Sequence, residues 1–309
     1  MKLGMLTACL PDQTLEQVAT WASRAGYEAL EVAAWPAVGD REFTASHLDV
    51  TSFDQARADD TRALLERHGL GPAPSSLAYY DNNLHPDPDE RARINAHVAA
   101  CVDAAALLGT ETVGTFVGRH PGRTVAENLR DAQEIFAPLV DRAGERGVKL
   151  IVENCVMEGW HPDGYPGNLA YSPELWEWMF SLGLYLNFDP SHLVWMGIDP
   201  VEALAPYVDR IPHAQAKDIQ LFPERRNRYG WPGIAVGREA DPFTTGWWRY
   251  RVPGLGDVDW RRVVDTLYEG GFTGVLSVEH EDPVWGGTED KVHTGLEVAY
   301  RTLRPLIVA

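Results

Sequence analysis

The sequence has few cysteines, and they are too far apart to act together. Cys9, Cys101 and Cys155 are the three cysteines among 309 residues, and no C-x-x-C pair occurs. This spacing excludes a disulfide framework and a zinc site of the cysteine type. It fits a reducing compartment, so we expect a cytoplasmic protein.

Basic residues and long apolar runs are also scarce. Lys and Arg number 27 against 45 Asp and Glu, which gives a formal net charge of −18. Such a surface repels phosphate backbones and anionic membranes, so we expect neither nucleic acid nor membrane as a partner. No run approaches the ~20 apolar residues of a membrane span. The N-terminus carries one lysine before Pro11, too short a segment for a signal peptide.

Short apolar runs alternate with longer amphipathic ones along the whole chain. The predicted strands are Leu3–Thr7, Ala29–Ala33, Ala73–Ala78, Thr112–Phe116, Val148–Glu153, Leu184–Asp189, Ile211–Lys217 and Gly274–Glu279. The predicted helices are Thr14–Ala25, Phe53–His68, Pro88–Leu108, Thr124–Arg146, Pro173–Ser181, Pro200–Tyr207, Trp260–Glu269 and Glu289–Leu303. Eight such units without a linker predict one (β/α)₈ barrel domain over residues 1–309. An open doubly wound sheet is the alternative, but no G-x-G-x-x-G follows the first strand.

Acidic side chains stand where predicted strands five, six and eight end. Glu153, Asp189 and Glu279 each close an apolar run. In a barrel these ends meet at one rim, where the active site lies. Three carboxylates there stay ionised only with a cation among them, and oxygen ligands favour Mn²⁺ or Mg²⁺.

A fourth ligand is expected from the seventh strand. Side chains alternate along a strand, so His213, Gln215 and Lys217 share one face. A Gln amide oxygen suits a hard cation, and His213 is the alternative ligand one pleat deeper.

These segments together resemble the xylose isomerase-like superfamily of sugar-phosphate isomerases and epimerases. The matching segments, in order and spacing, are Val152-Glu153-Asn154, Asn187-Phe188-Asp189-Pro190-Ser191-His192, Ala216-Lys217-Asp218 and Ser277-Val278-Glu279-His280-Glu281. The resemblance spans essentially the whole chain. It implies a Glu, Asp, His and Glu ligand set for manganese, magnesium or sometimes zinc or cobalt, and it implies that His192 binds substrate.

The seventh strand departs from the pattern of that family. The family writes H-x-K-D there, and the position of its histidine ligand is held by Gln215. Glu, Asp, Gln and Glu sites resemble those of some lyases of the superfamily, including certain 3-dehydroshikimate dehydratases. By register we expect Gln215 as the fourth ligand, with His213 packed behind it.

A long irregular segment follows the seventh strand and is expected to form a lid-like insertion at residues 219–256. It is rich in Arg, Tyr and Trp, with Arg251 near its end, and emerges on the rim that carries the active site. Trp faces suit sugar rings, and Arg suits hydroxyls, carboxylates or phosphate. Trp35, Trp160 and Trp195 follow other strands and are expected to form an apolar collar around the substrate. Packing of the insertion on itself or on a partner subunit is the alternative.

The predicted chemistry is proton abstraction beside the carbonyl of a keto-sugar through a metal-stabilised enediolate. Glu153 and Glu279 would move protons on opposite faces of that carbon, while His192 and Lys217 orient hydroxyls. Elimination from the same intermediate is the close alternative, as in a dehydratase or a 3-keto-glycoside or C-glycoside deglycosidase.

Two other classes are less favoured. An endonuclease IV-like nuclease needs a His-rich three-metal site and a surface that tolerates DNA. A non-catalytic sugar-binding module gains little from clustered carboxylates. A second copy of the chain or another subunit as a partner in the site is left open.

Overall fold

The computed structural model describes residues 1–37, 45–237 and 245–308, and its centre is a closed barrel of eight parallel strands. The barrel strands are β1 Lys2–Leu6, β2 Ala29–Ala33, β3 Ser76–Ala78, β4 Thr112–Thr115, β5 Lys149–Glu153, β6 Tyr185–Phe188, β7 His213–Ala216 and β10 Val275–Val278. Around the barrel the order is β1-β10-β7-β6-β5-β4-β3-β2, and β1 pairs with β2 to close it. The predicted (β/α)₈ fold is therefore confirmed.

The helices follow the strands and cover the outside of the barrel. They are α1 Leu15–Ala25, α2 Gln55–Arg67, α3 Pro88–Leu108, α4 Val125–Glu145, α5 Pro173–Ser181, α6 Pro190–Met196, α7 Pro200–Leu204, α8 Pro223–Tyr229, α9 Trp260–Glu269 and α10 Glu289–Leu303. Local sequence sets several of these boundaries. Thr14 and Gln17 form a capping box at the start of α1, and Gly26 ends that helix with a left-handed φ of 96°.

The predicted boundaries agree with the structure to within a residue or two for most elements, and four helices agree at both ends. The segment after the seventh strand differs, because it is not irregular throughout. Strands β8 Asp218–Leu221 and β9 Trp248–Arg251 pair as an antiparallel ribbon, with α8 between them. Helix α6 also lies in a stretch where no helix was predicted. Of the expected insertion at 219–256, residues 238–244 lie outside the described residues.

Two buried aspartates fasten the ribbon to the barrel. Asp218 accepts hydrogen bonds from the backbone nitrogens of Ile219, Gly254 and Val258 and from the indole of Trp260. Asp282 accepts from the guanidinium of Arg251 and from nearby backbone nitrogens. These bonds fix both ends of the ribbon at the rim. No helix in the described ranges is both long and apolar enough to cross a bilayer.

Candidate active site

Three buried carboxylates converge at the carboxyl end of the barrel. Glu153 ends β5, Asp189 follows β6 as the N-cap of α6, and Glu279 follows β10. One oxygen from each lies within 4.8 Å of the others. The side-chain amide of Asn154 donates to the main-chain oxygen of Asp189 and accepts from its main-chain nitrogen, at 2.7 Å each way. These two bonds fix Asp189 relative to the end of β5. The sequence prediction that these three meet agrees with this geometry.

The ammonium of Lys217 stands among the carboxylates. Its Nζ lies 2.9 Å from Glu279, 3.3 Å from Asp189 and 3.9 Å from Glu153. A fourth carboxylate, Glu281, approaches it at 3.2 Å. Burial alone would lower the pKa of Lys217, but these neighbours raise its pKa well above the usual range. The lysine is therefore held as a cation.

The charges of the cluster do not balance without a further cation. The carboxylates are Glu153, Asp189, Glu279 and Glu281, and the cationic groups are Lys217 and, when protonated, His192. Four negative charges against two positive ones leave two negative charges. Burial raises the pKa of Glu279 well above its usual range and also raises the pKa of Glu153. The positive charge of Lys217 acts in the opposite direction on both carboxyls. A divalent cation would supply the missing two charges.

His192 is held between the ribbon and the carboxylates. Its Nε2 lies 3.2 Å from Glu153 and 3.3 Å from Asp189, and its Nδ1 lies 2.9 Å from the hydroxyl of Tyr250. Burial lowers the pKa of His192, but Cys155 and Asp189 among its neighbours raise it well above its usual range. The ring of Tyr250 also lies 4.8 Å from the Lys217 ammonium. The ribbon thus contributes directly to the site.

Gln215 lies in β7 and faces a fully buried carboxylate across the barrel. Its Nε2 donates to both oxygens of Glu31 at 3.2 and 3.3 Å. Glu31 also accepts from the Tyr80 hydroxyl at 2.7 Å. Because a carboxylate only accepts, the amide nitrogen of Gln215 must point at Glu31. Its Oε1 then faces away, and it is buried with no hydrogen-bond partner.

His213 belongs to the same network, one layer deeper. Asn187 donates to Tyr80 at 2.7 Å, so its oxygen accepts from His213 Nδ1 at 3.1 Å. His213 Nε2 is then an acceptor for Ser75 at 3.3 Å. Burial lowers the pKa of His213, which keeps the ring neutral. Both nitrogens of His213 are occupied, whereas Gln215 has a free acceptor.

The donor set fits a hard divalent cation. Oδ2 of Asp189 is buried 3.3 Å from both Lys217 Nζ and His192 Nε2, while its Oδ1 caps α6 through Ser191. Oε1 of Gln215 is buried with no hydrogen-bond partner. Orphaned acceptors of this kind are costly unless a ligand completes them. Glu153, Asp189 and Glu279 offer carboxylate oxygens within 4.8 Å of one another, the ligand type that Mn²⁺ and Mg²⁺ prefer.

A cavity of about 1280 Å³ opens above this cluster. Glu153, Lys217 and Glu279 line it, as do Trp35 and Trp160. Trp35, Tyr80, Phe116 and Trp160 form a continuous aromatic wall with ring centroids 5.1–5.9 Å apart. The cavity exceeds the ~300–1,000 Å³ typical of small-molecule sites. It has room for a substrate larger than one sugar ring.

Of the arginines and tryptophans expected at the substrate site, some line the cavity and others pack in or against the ribbon. Arg225 and Arg249 line the cavity. Arg251 instead pairs with Asp282 at 2.9 Å and with Gln220 at 3.0 Å, which commits its guanidinium to holding the ribbon. Trp195 packs against Trp248 at 4.9 Å rather than forming part of the collar.

Sequence reasoning missed Glu31 and the roles of Tyr80, Tyr250 and Cys155. Glu31 had a usable signal, since a carboxylate within a short apolar strand of a parallel barrel has no solvent to face. Tyr250 had none beyond its place in an aromatic-rich segment, because its partner His192 is 58 residues away.

The family model of the xylose isomerase-like TIM barrel matches residues 19–302. The uncharacterized protein YfiH of Bacillus subtilis is 25% identical over 98% of this chain and 99% of its own. The inosose dehydratase of Clostridium perfringens is 35% identical over 52% of this chain, and the match spans 48% of that enzyme. A crystal structure of the IOLI protein with a bound zinc atom superimposes with a TM-score of 0.68 at 20% identity, covering 99% of this chain and 96% of that one.

Proposed function

Because the chain belongs to the xylose isomerase-like TIM-barrel family, we propose that it is a divalent-metal-dependent enzyme that moves a proton beside the carbonyl of a keto-sugar or sugar derivative. The supporting observation is the buried carboxylate cluster around Lys217, together with the unpartnered amide oxygen of Gln215. The aromatic-walled cavity above the cluster is the substrate site, and the cell compartment is the cytoplasm.

Glu153, Asp189, Gln215 and Glu279 hold the cation, with Mn²⁺ or Mg²⁺ favoured by the oxygen donors. When bound, the cation supplies a Lewis acid that polarises the substrate carbonyl. Glu31 fixes the amide of Gln215 so that its oxygen is presented rather than its nitrogen. With its nitrogen held by Glu31, the glutamine offers an oxygen to the cation where the family pattern has an imidazole nitrogen.

Glu153 is the first proton-transfer group in this proposal. Its carboxylate contacts His192, which in turn contacts Tyr250, so these two side chains hold the carboxylate in position to accept a proton. The raised pKa of Glu153 brings the carboxyl closer to the range useful for a base at neutral pH.

Glu279 is the second proton-transfer group and works from another side of the mouth. In the barrel order, β7 and β6 separate β10 from β5, and Lys217 at the end of β7 stands between the two carboxylates. A substrate carbon above Lys217 would meet one carboxyl on each side. Removal of a proton by one and return by the other gives isomerisation or epimerisation.

Elimination is the second candidate outcome, and the protonated groups of the site favour it. Loss of a β-hydroxyl needs a proton donor, and both Lys217 and His192 have raised pKa values. The similarity to inosose dehydratase over about half of the chain points the same way. The enediolate that proton loss creates is common to both outcomes.

Substrate contacts are proposed for His192, Lys217, Trp35 and Trp160. The two tryptophans present apolar faces that suit the C–H faces of a sugar ring. Arg225 and Arg249 line the cavity and replace Arg251 as the arginines that reach hydroxyl or acidic groups of the substrate.

Deuterium exchange tests the shared step. Protein loaded with Mn²⁺ is incubated in D₂O with inosose and, separately, with D-fructose as probes. We expect deuterium at the carbon beside the carbonyl of the accepted probe, and loss of at least about 10²-fold in exchange rate for Glu153→Gln. The control is Glu202→Gln, the same change at an exposed position of α7, which should exchange like the wild type.

The product of the same incubation distinguishes the two outcomes. A product that differs in mass from the probe only by the deuterium gained indicates isomerisation or epimerisation, and one that has lost water indicates a dehydratase. Turnover of a probe without exchange would contradict proton transfer and would leave the two glutamates as metal ligands only.

A further inference from the structure

We propose that Glu153, Cys155 and His192 form a second metal subsite, softer than the first, which takes Zn²⁺ through the sulfur of Cys155. One ligand atom of each residue lies within 4.8 Å of the other two, and all three residues are buried. The subsite shares Glu153 with the oxygen-rich site but differs from it in chemistry. Sulfur, imidazole nitrogen and carboxylate oxygen form a donor set typical of zinc.

The separation of the nitrogen and oxygen ligand atoms is close to that around a tetrahedral ion, and a ligand atom of each residue lies within 4.8 Å of the sulfur. Zinc–ligand bonds of about 2.0–2.3 Å at tetrahedral angles place ligand atoms about 3.3–3.8 Å apart. The distance between His192 Nε2 and Glu153 Oε1 is 3.2 Å. Glu153 and Cys155 both line the cavity, so an ion can enter and a fourth position faces the open space.

The histidine is oriented as a metal-binding imidazole is. Zinc-binding histidines use one ring nitrogen for the metal and the other for a hydrogen bond that fixes the ring. The Tyr250 hydroxyl occupies Nδ1 of His192 at 2.9 Å, which directs Nε2 toward the carboxylates.

The backbone around Cys155 is fixed by a single buried side chain. Asn168 donates to the carbonyl oxygens of Glu153 and Cys155 at 3.1 and 2.8 Å, and its own oxygen accepts from Val117 and Gly118. Glu153 ends β5, Cys155 follows two residues later, and their ligand atoms lie within 4.8 Å of each other. Asn154 between them is tied to the Asp189 main chain. The pair is therefore preorganised.

The other two cysteines lack this setting. The thiol of Cys9 donates to the backbone oxygen of Leu6 at 3.4 Å, and Cys101 is buried within α3. Neither occurs in a group of three potential ligands within the described ranges. This difference provides matched controls.

Zinc binding has a chemical cost and a functional consequence. The S–H bond of Cys155 and the Nε2–H bond of protonated His192 break, zinc–sulfur and zinc–nitrogen bonds form, and both protons are released to solvent. Resting on the proposed function, a zinc ion held here would occupy Glu153 and stop it from accepting a substrate proton. Mn²⁺, which prefers oxygen, would not compete for the sulfur.

Cobalt is the probe that reports the sulfur ligand directly. Purified full-length protein, stripped of metal, is titrated with Co²⁺ while its near-ultraviolet absorption is recorded. We expect a strong sulfur-to-cobalt charge-transfer band in the wild type, in Cys9→Ser and in Cys101→Ser, and none in Cys155→Ser. Zn²⁺ should displace the cobalt. Absence of the band in the wild type, or its persistence in Cys155→Ser, overturns the proposal.

Two further measurements keep this result separate from the proposed function. Cys155→Ala and Cys155→Ser should each bind Zn²⁺ at least about tenfold more weakly, with Mn²⁺ affinity changed less than about twofold. Glu279→Gln should weaken Mn²⁺ binding and keep the cobalt band. A kept band with no Mn²⁺ binding in the wild type would contradict the proposed function alone, whereas unchanged Zn²⁺ affinity in both cysteine variants contradicts the subsite. Circular dichroism confirms that the variants are folded.

Discussion

At the scale of the residue, the important feature is which way the amide of Gln215 faces. Tyr80 and Gln215 both donate to Glu31, and Asn187 and His213 extend the same donor chain toward it. The chain is satisfied when Glu31 is an acceptor, and this sets the amide orientation. A single buried carboxylate thus fixes the direction of the Gln215 oxygen, which the proposed function uses as a metal ligand.

The first prediction compares the two candidate ligands of β7. Gln215→Ala removes the unpartnered oxygen, and we expect Mn²⁺ affinity to fall by about 10–100-fold. His213→Ala removes a ring whose two nitrogens already have partners, and Mn²⁺ affinity should change less than Gln215→Ala changes it. Isothermal titration of the metal-free variants measures both values. The reverse order would mean that the register assigned to β7 is wrong.

At the scale of the element, the antiparallel ribbon is a wall of the site. Asp218 and Asp282 hold its ends, and Tyr250 in β9 contacts both His192 and Lys217. The ribbon therefore carries a polar group to the carboxylate cluster as part of the fold. This segment was expected to be lid-like. Its described part contains a ribbon that hydrogen bonds hold in place.

The second prediction concerns the hydroxyl that the ribbon supplies. Tyr250→Phe keeps the ring beside Lys217 and removes the hydrogen bond to His192 Nδ1. We expect kcat for deuterium exchange to fall about tenfold with KM nearly unchanged, because Tyr250 orients His192 and leaves the cavity walls intact.

Tyr229→Phe is the matched control, since it makes the same chemical change in α8. Steady-state exchange kinetics of both variants give the comparison. A wild-type kcat for Tyr250→Phe, or an equal loss in Tyr229→Phe, would show that the contact with His192 has no part in proton transfer.

At the scale of the whole molecule, charge and topology act together. The chain carries a formal charge of −18, and four carboxylates surround the ammonium of Lys217 in the cluster. A negative field around the mouth concentrates cations there. The barrel brings β5, β6, β7 and β10 to one rim, so residues 126 positions apart in sequence contact the same ammonium.

Much of this architecture could be predicted from the sequence, because strand and helix periodicities are local. Helix α3 was predicted correctly at both ends, and the structure shows Asp87 capping its start and Gly109 ending it. The three carboxylates were found since barrel strand ends meet by topology. Glu31 was not, because its role depends on Gln215 across the barrel, 184 residues away. The ribbon was missed because each strand has four residues, too short a run for its alternation of polar and apolar side chains to stand out.

The most direct test of the central claim is the anomalous diffraction of crystals soaked with Mn²⁺. We predict one strong anomalous peak per chain about 2.0–2.5 Å from oxygens of Glu153, Asp189, Gln215 and Glu279. The Lys217 ammonium should have moved away from the centre of the cluster. Absence of a peak there, with Lys217 still bridging Asp189 and Glu279 at saturating Mn²⁺, would contradict the account.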